Sequence, residues 1–340
     1  MRLSCETKTN NMKHYFKFAM AAMALMVSAG FVACGGDDDD DDGGSGVING
    51  QGLIDNNGQE VRLTGVGNYV INYDANGKLT SIGYANEDFF TVSGSSLIID
   101  DYGYKYDFST NSKGYITKMV FSYDYTDSDG ESEKGSGTIS FSYNGSGQLT
   151  GFSGSGSSEY VDVNNDGTIE RGSEKSSIDE TCTWTNGNLA KIVEHNKGTY
   201  TDDGKTKSYD DTDTYTYTYG SQVNVTKQYT YYISKQSMGE TFCPLYLIGF
   251  LGVGTAYLPT GYTKEEVEIE DGKQPYTDTD TYTLTYTLNS NGTIATEQRN
   301  KSNVIEYRYS NATRAAASSV NSIEAQLPML KDMLFKHHRR

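Results

Sequence analysis

The sequence predicts an all-β protein, an antiparallel up-and-down meander curled into a barrel or half-barrel, with an apolar helix or turn segment covering its concave face. Three observations predict it. Glycine is abundant (37), proline scarce (4), and 28 tyrosines point to strands joined by tight turns. One unit recurs along the chain: an alternating strand, a short Asn/Gly turn, then Leu or Ile two residues on. Finally, the strand faces separate. In "TYTLTYTL", Tyr282, Leu284, Tyr286 and Leu288 share one face, and Thr281, Thr283, Thr285 and Thr287 share the other. Each strand then buries one side only, as antiparallel sheets with one wet face do.

The chain opens with an apolar run from Phe18 to Ala33, preceded by Lys13, His14 and Lys17. This is the pattern of a secretory signal peptide over residues 1–33. Met12 reads as its true start, because Met1 to Asn11 is polar. The run falls short of the roughly 20 residues a spanning helix needs. It stops at Ala33-Cys34-Gly35, which resembles a bacterial lipobox with Phe31 where the usual motif has Leu. The resemblance implies that Cys34 is lipidated and begins the mature chain; a plain cleaved signal is the alternative. Residues 34–47 form an acidic linker carrying six aspartates, Asp37 to Asp42. These repel one another and stay extended. Their place just after the Cys resembles the surface-export signal of certain gut-dwelling Gram-negative lipoproteins. That implies a lipid-anchored protein of the outer membrane displayed at the cell surface. A simple solvated tether is the plainer reading.

Charge narrows the partners. The chain carries 28 basic and 45 acidic residues. Its first 33 residues hold four basic ones (Arg2, Lys8, Lys13, Lys17) and one acidic one (Glu6), so 24 basic face 44 acidic beyond them, a net −20. Such a chain repels nucleic acid and anionic headgroups. It suits divalent cations or neutral ligands. Beyond Cys5 and Cys34, two cysteines remain, Cys182 and Cys243. An oxidising compartment permits a bridge between them, and two separate buried thiols are the other reading.

The repeat runs through residues 48–310. It appears as "YVINYDANGKLTSIGY" from Tyr69, "YKYDFSTNSKGYITKMVF" from Tyr104, "TISFSYNGSGQLTGF" from Thr138, "TCTWTNGNLAKIV" from Thr181 and "YTLTYTLNSNGTIATEQ" from Tyr282. The turn glycines Gly77, Gly114, Gly147, Gly187 and Gly292 lie 37, 33, 40 and then 105 residues apart. "TYTYTYGSQVNVTKQYTYY" from Thr214 fills one missing place, with its turn expected near Gly220. Glycine takes the positive φ of hairpin turns at little cost. Longer acidic loops alternate with these turns, so the meander puts short turns at one end and long loops at the other. Helical solenoids share the period, but the two-residue alternation argues against them. An outer-membrane barrel also alternates, yet here tyrosines recur along whole strands rather than at two girdles.

"FCPLYLIGFLGVGTAYLP", Phe242 to Pro259, is the one long uncharged apolar run beyond the leader. Its glycines and prolines make a poor membrane helix and a good filler for the concave face. The hairpin repeats, with the run ending in Leu258-Pro259, resemble a bacterial lipoprotein family of unknown function with a porin-like fold. The resemblance covers roughly residues 48–310 and implies an up-and-down β architecture with no established catalytic residues. Residues 311–340 form a tail, either a helix presenting Ile323, Leu327, Leu330 and Leu334 or a disordered segment.

Candidate chemistry is sparse. Asp162, Asn164 and Asp166, followed by Gly167 and Ile169, match the first half of a calcium loop, whose alternate oxygens converge on one cation. The twelfth position is Ser173 rather than Glu, and a polar hairpin loop explains the same residues. Calcium is the one cofactor the sequence suggests. His195 is the single histidine between the leader and the tail, and no nucleophile elbow or zinc spacing appears. The sequence therefore reads as a non-enzyme. Tyrosines and Trp184 offer stacking faces for a glycan, although most sit on the buried face. Tyr125, Tyr200, Tyr209 and Tyr276 lie in or beside the long loops and are the candidate ligand contacts. Two functions remain: a surface lipoprotein that binds a ligand, such as a glycan, through its acidic loops, or a structural or interaction protein of the envelope without a small ligand.

Overall fold

A computed structural model describes residues 53–311, apart from connections at 85–86, 100–102, 127–129, 131, 164–168, 203 and 238. The leader, Cys34, the six aspartates and the tail beyond 311 lie outside the described residues. Seventeen strands and two short helices are described. They are β1 (Leu53–Ile54), β2 (Glu60–Val66), β3 (Tyr69–Tyr73), β4 (Leu79–Tyr84), β5 (Glu87–Ser93), β6 (Ser96–Ile99), β7 (Tyr104–Thr110) and β8 (Ile116–Thr126). Then follow β9 (Ser132–Tyr143), β10 (Leu149–Val163), β11 (Ile169–Thr185), β12 (Asn188–Asp202) and β13 (Lys205–Val223). After α1 (Tyr231–Gln236) and α2 (Gly239–Leu247) come β14 (Tyr257–Glu270), β15 (Tyr276–Leu288), β16 (Ile294–Arg299) and β17 (Ile305–Asn311).

Every strand from β2 to β17 pairs antiparallel with the next, and β17 closes onto β2 with Tyr307 opposite Val66. The meander is thus a closed barrel of sixteen strands, not a half-barrel. The short β1 pairs with the start of β2. Wall height is uneven. β11 has 17 residues and β3 has 5, strand lengths of roughly 58 Å against 17 Å at 3.4 Å per residue.

The Asp/Asn–Gly turns gather at one end. The acidic stretches read as long loops at the other are largely strand, with β12 running to Asp202 and β13 starting at Lys205, because alternation continues through their polar residues. Three of the turns share one construction. In Asp74–Gly77, Asn111–Gly114 and Asn144–Gly147, the glycine N–H donates to the first residue's carbonyl at 2.9 Å. The first side chain accepts two further N–H groups, as Asn144 Oδ1 does from Ser146 and Gln148. These glycines hold φ of 77–79°, the left-handed region where a Cβ is penalised.

The missing unit turns at Asn224–Lys227, not near Gly220, which lies inside β13. Lys227 N donates to the Asn224 carbonyl, and Lys227 takes the glycine's place at φ 49°. Elsewhere the chain returns at once, as when Asn144 N donates to the Gln148 carbonyl; here Asn224 N donates to the Ala256 carbonyl. Residues 228–255 are therefore an insertion into one hairpin turn.

That insertion fills the turn end of the barrel. Leu247, Ile248, Phe250 and Leu251 are all at most 2% exposed. Its backbone also stitches to the turns. The Phe250 carbonyl accepts Ile116 N, Val253 N donates to Gly147 O, and Ala256 N donates to Gly187 O. The filler predicted at Phe242 to Pro259 is thus present, but it starts earlier, and Tyr257, Leu258 and Pro259 belong to β14. At α1 the N-cap Thr230 makes no side-chain cap bond. Glu297 of β16 reaches in instead. Its carboxylate accepts Tyr231 N at 2.8 Å, Tyr232 N at 3.4 Å and the hydroxyls of Tyr307 at 2.5 Å and Tyr286 at 3.1 Å. A wall strand thereby satisfies donors that a helix start leaves unpaired.

The outer wall is hydroxylic and charged. Thr281, Thr283, Thr285 and Thr287 are exposed on β15, Ser136, Ser140 and Ser142 on β9, and Lys175, Asp179, Thr181 and Thr183 on β11. A lipid-facing barrel presents an apolar band at these positions; this wall presents groups that bond water. Val120, Val267 and Ile269 are exposed apolar exceptions. Among the described residues no helix is long and apolar enough to cross a membrane.

Candidate functional site: the inner face of the tall wall

Above the plug, β11 to β15 carry carboxylates on the same inward face as the core tyrosines. Strand register places them in rows. Glu180 of β11 lies opposite Glu194 of β12, Glu194 opposite Asp213 of β13, Asp213 opposite Glu266 of β14, and Glu266 opposite Asp278 of β15. One step towards the loop end runs a second row, Ile178, Asn196, Asp211, Glu268 and Tyr276. Directly opposed side chains sit roughly 5 Å apart at Cβ. Both rows grade from buried on β11 and β12 to exposed on β15.

One cation enters the rows. Lys264 Nζ lies 3.3 Å from Asp213 and 3.0 Å from Glu266. Burial works against its ammonium, but the two carboxylates outweigh it and raise its pKa. Asp213 also accepts the Tyr215 hydroxyl at 3.0 Å. Burial still lifts its pKa, with Lys264 opposing only in part. Glu180 touches the plug: Ser237 Oγ donates to it at 2.5 Å and also contacts the Tyr246 hydroxyl. Burial pushes the Glu180 pKa up to about 7, against the hydrogen bonds from Ser237 and Cys182. Glu194 is raised by burial first and then by Glu180 and Asp213, with Lys264 opposing.

The residues singled out from sequence fall as follows. Tyr200 and Tyr209 come together in a crossed pair. Tyr200 donates to Glu270 at 2.9 Å and Tyr209 to Glu174 at 2.6 Å, with Lys207 5.8 Å from the Tyr200 ring. Tyr209 is buried (3% exposed) and presents no free face for stacking. Tyr276 is exposed, opposite Glu268. Tyr125 is half-buried on β8, opposite Glu133, away from the other three. Trp184 is built into the wall, donating to the Leu149 carbonyl at 2.7 Å. Asp162 is a strand residue opposite Glu170; Asn164 and Asp166 lie outside the described residues. No group of three or more His, Cys, Asp or Glu arranged to hold a metal occurs among the described residues. His195 sits on the outer wall, 2.5 Å from Asp210. Cys182 and Cys243 are separate buried thiols.

Sequence reasoning missed Glu180, Glu194, Asn196, Asp213 and Glu266. The signal was present in their parity. Glu194 and Asn196 share the parity of Ile192, and Asp213 that of Tyr215, so they fall on the face that the apolar residues mark as inward.

The chain matches no protein-family model and no curated protein. Among solved structures it is similar to a porin-like protein from Bacteroides vulgatus. The two are 12% identical with a TM-score of 0.35, over 73% of this chain and 98% of that one. A porin-like protein from Bacteroides uniformis is 15% identical with a TM-score of 0.24, over 65% and 93%.

Proposed function

We propose that this chain is a lipid-anchored receptacle of the cell envelope, which binds a ligand on the inner face of its tall wall and does not conduct solutes through its axis. The observation that carries this reading is the plug: a 228–255 insertion packs the turn end of a barrel whose outer wall is hydroxylic. Anchoring comes from Cys34, and the aspartates at 37–42 carry the chain to the outer surface. Ligand binding rests on the graded carboxylate rows, which lead from an exposed strand to a buried one. A glycan remains an admissible ligand, but of the four candidate tyrosines Tyr276 alone is exposed.

Cys34→Ser should abolish incorporation of labelled fatty acid and release the protein from the membrane fraction. Replacing Asp37 to Asp42 with serine should leave the lipid in place and reduce cleavage by protease added to intact cells. A lipidated Cys34→Ser protein contradicts the anchor, and unchanged protease accessibility contradicts the sorting role.

A further inference from the structure

Two acceptors on β12 have no donor. Glu194 Oε2 and Asn196 Oδ1 are buried without a hydrogen-bond partner, in side chains 2% and 6% exposed. Buried polar atoms are nearly always satisfied, and an orphan calls for an explanation such as a missing partner. They are two residues apart on one inward face, and each stands in one of the two rows. Both orphans accept and neither Glu194 oxygen can donate when ionised. A ligand that completes them must therefore bring hydrogen-bond donors, and an ammonium brings them together with the charge that offsets an ionised Glu194 and the carboxylates beside it. Lys264 does not supply it, since its ammonium already lies between Asp213 and Glu266.

We infer that the β12–β15 wall binds an organic cation with more than one primary ammonium group. This rests on the receptacle reading above and adds the ligand's chemical class. The accessible ends of the rows, Glu266 and Asp278, meet the ligand first. One ammonium then passes inward to Glu194, with the Asn196 carbonyl as a second acceptor, and the side chains covering them move aside. A linear spacing of ammonium groups matches a row of opposed carboxylates about 5 Å apart. Burial and neighbouring carboxylates favour a proton on Glu194, so an arriving ammonium displaces that proton to solvent. A free polyamine and the lysine side chains of a peptide share this chemistry.

Calorimetric titration of the mature chain near neutral pH tests the inference, with spermine and a lysine pentapeptide as separate probes. Salt of about 0.15 M screens loose surface attraction. Saturable binding of spermine is expected, at least about tenfold weaker in Glu266→Gln with Asp278→Asn. Binding should be unchanged by Asp179→Asn on the outer wall, and by serine at Asp37 to Asp42. Repeating the titration in buffers of different ionisation heat should reveal proton release, lost in Glu194→Gln. Preference for the pentapeptide over spermine assigns the cation to a protein partner. Absence of saturable binding for both probes overturns the inference, and so does binding abolished by the Asp37 to Asp42 substitution alone. A neutral oligosaccharide that binds where neither probe does also overturns it, while leaving the receptacle standing. If nothing binds, both fail.

Discussion

Leu247→Asp should leave the domain unfolded or aggregated, and Phe250→Asp should do the same. Both side chains are at most 1% exposed within the plug. Removing a large apolar side chain there costs about 2–5 kcal/mol. An unpaired carboxylate at a buried site adds several kcal/mol more. Together these approach the whole stability of an ordinary domain, about 5–15 kcal/mol. Thr285→Asp offers the contrast. Thr285 is exposed on the outer wall, where substitutions usually cost within about 0.5 kcal/mol and the poorer strand propensity of Asp adds at most about 1 kcal/mol. Urea unfolding followed by aromatic fluorescence compares them. A harmless Leu247→Asp would mean that the plug is not the core.

Raising the pH from mildly acidic to mildly alkaline should destabilise the domain, the reverse of ordinary acid denaturation. Glu180 has its folded pKa raised from 4.5 to about 7. The folded state then holds a proton that the unfolded state has released. Stability from this group is complete below about pH 4.5 and is lost as pH rises towards the folded value. At 1.36 kcal/mol per unit the loss is about 3 kcal/mol. At roughly 2–4 °C per kcal/mol this lowers the melting temperature by about 6–12 °C. Glu194, Asp213 and Glu297, each raised by burial, act in the same direction. Glu180→Gln keeps an acceptor for Ser237 and removes the titration, so its melting temperature should depend less on pH. A wild-type melting temperature that rises from about pH 4.5 to 8 would contradict the protonated carboxylate at the plug.

Much of the wall was legible because its signals are local. Alternation in "TYTLTYTL" assigns faces, and an Asp or Asn three residues before a glycine builds its own turn from bonds within five residues. Closure was not legible. Arg308 of β17 donates to the Gly67 and Tyr69 carbonyls of the β2–β3 hairpin, and nothing in either segment names the other. The plug was half legible. Its apolar second half stands out, but "QYTYYIS" alternates as a strand does, and the acceptor for the first N–H groups of α1 is Glu297, far along the chain. The carboxylate rows were hidden by abundance. Among so many acidic residues, the ones that matter are marked by inward parity, and by register with neighbouring strands that no single strand displays.

The central claim is that this sixteen-strand barrel faces water on its outside and is closed at one end by its own insertion. Light scattering coupled to size exclusion, on residues 47–311 in detergent-free buffer, tests it most directly. The account predicts one symmetrical, monodisperse species with a constant mass across the peak. A domain that stays in solution only when detergent is present would show that the hydroxylic wall is not water-facing, and would contradict the account.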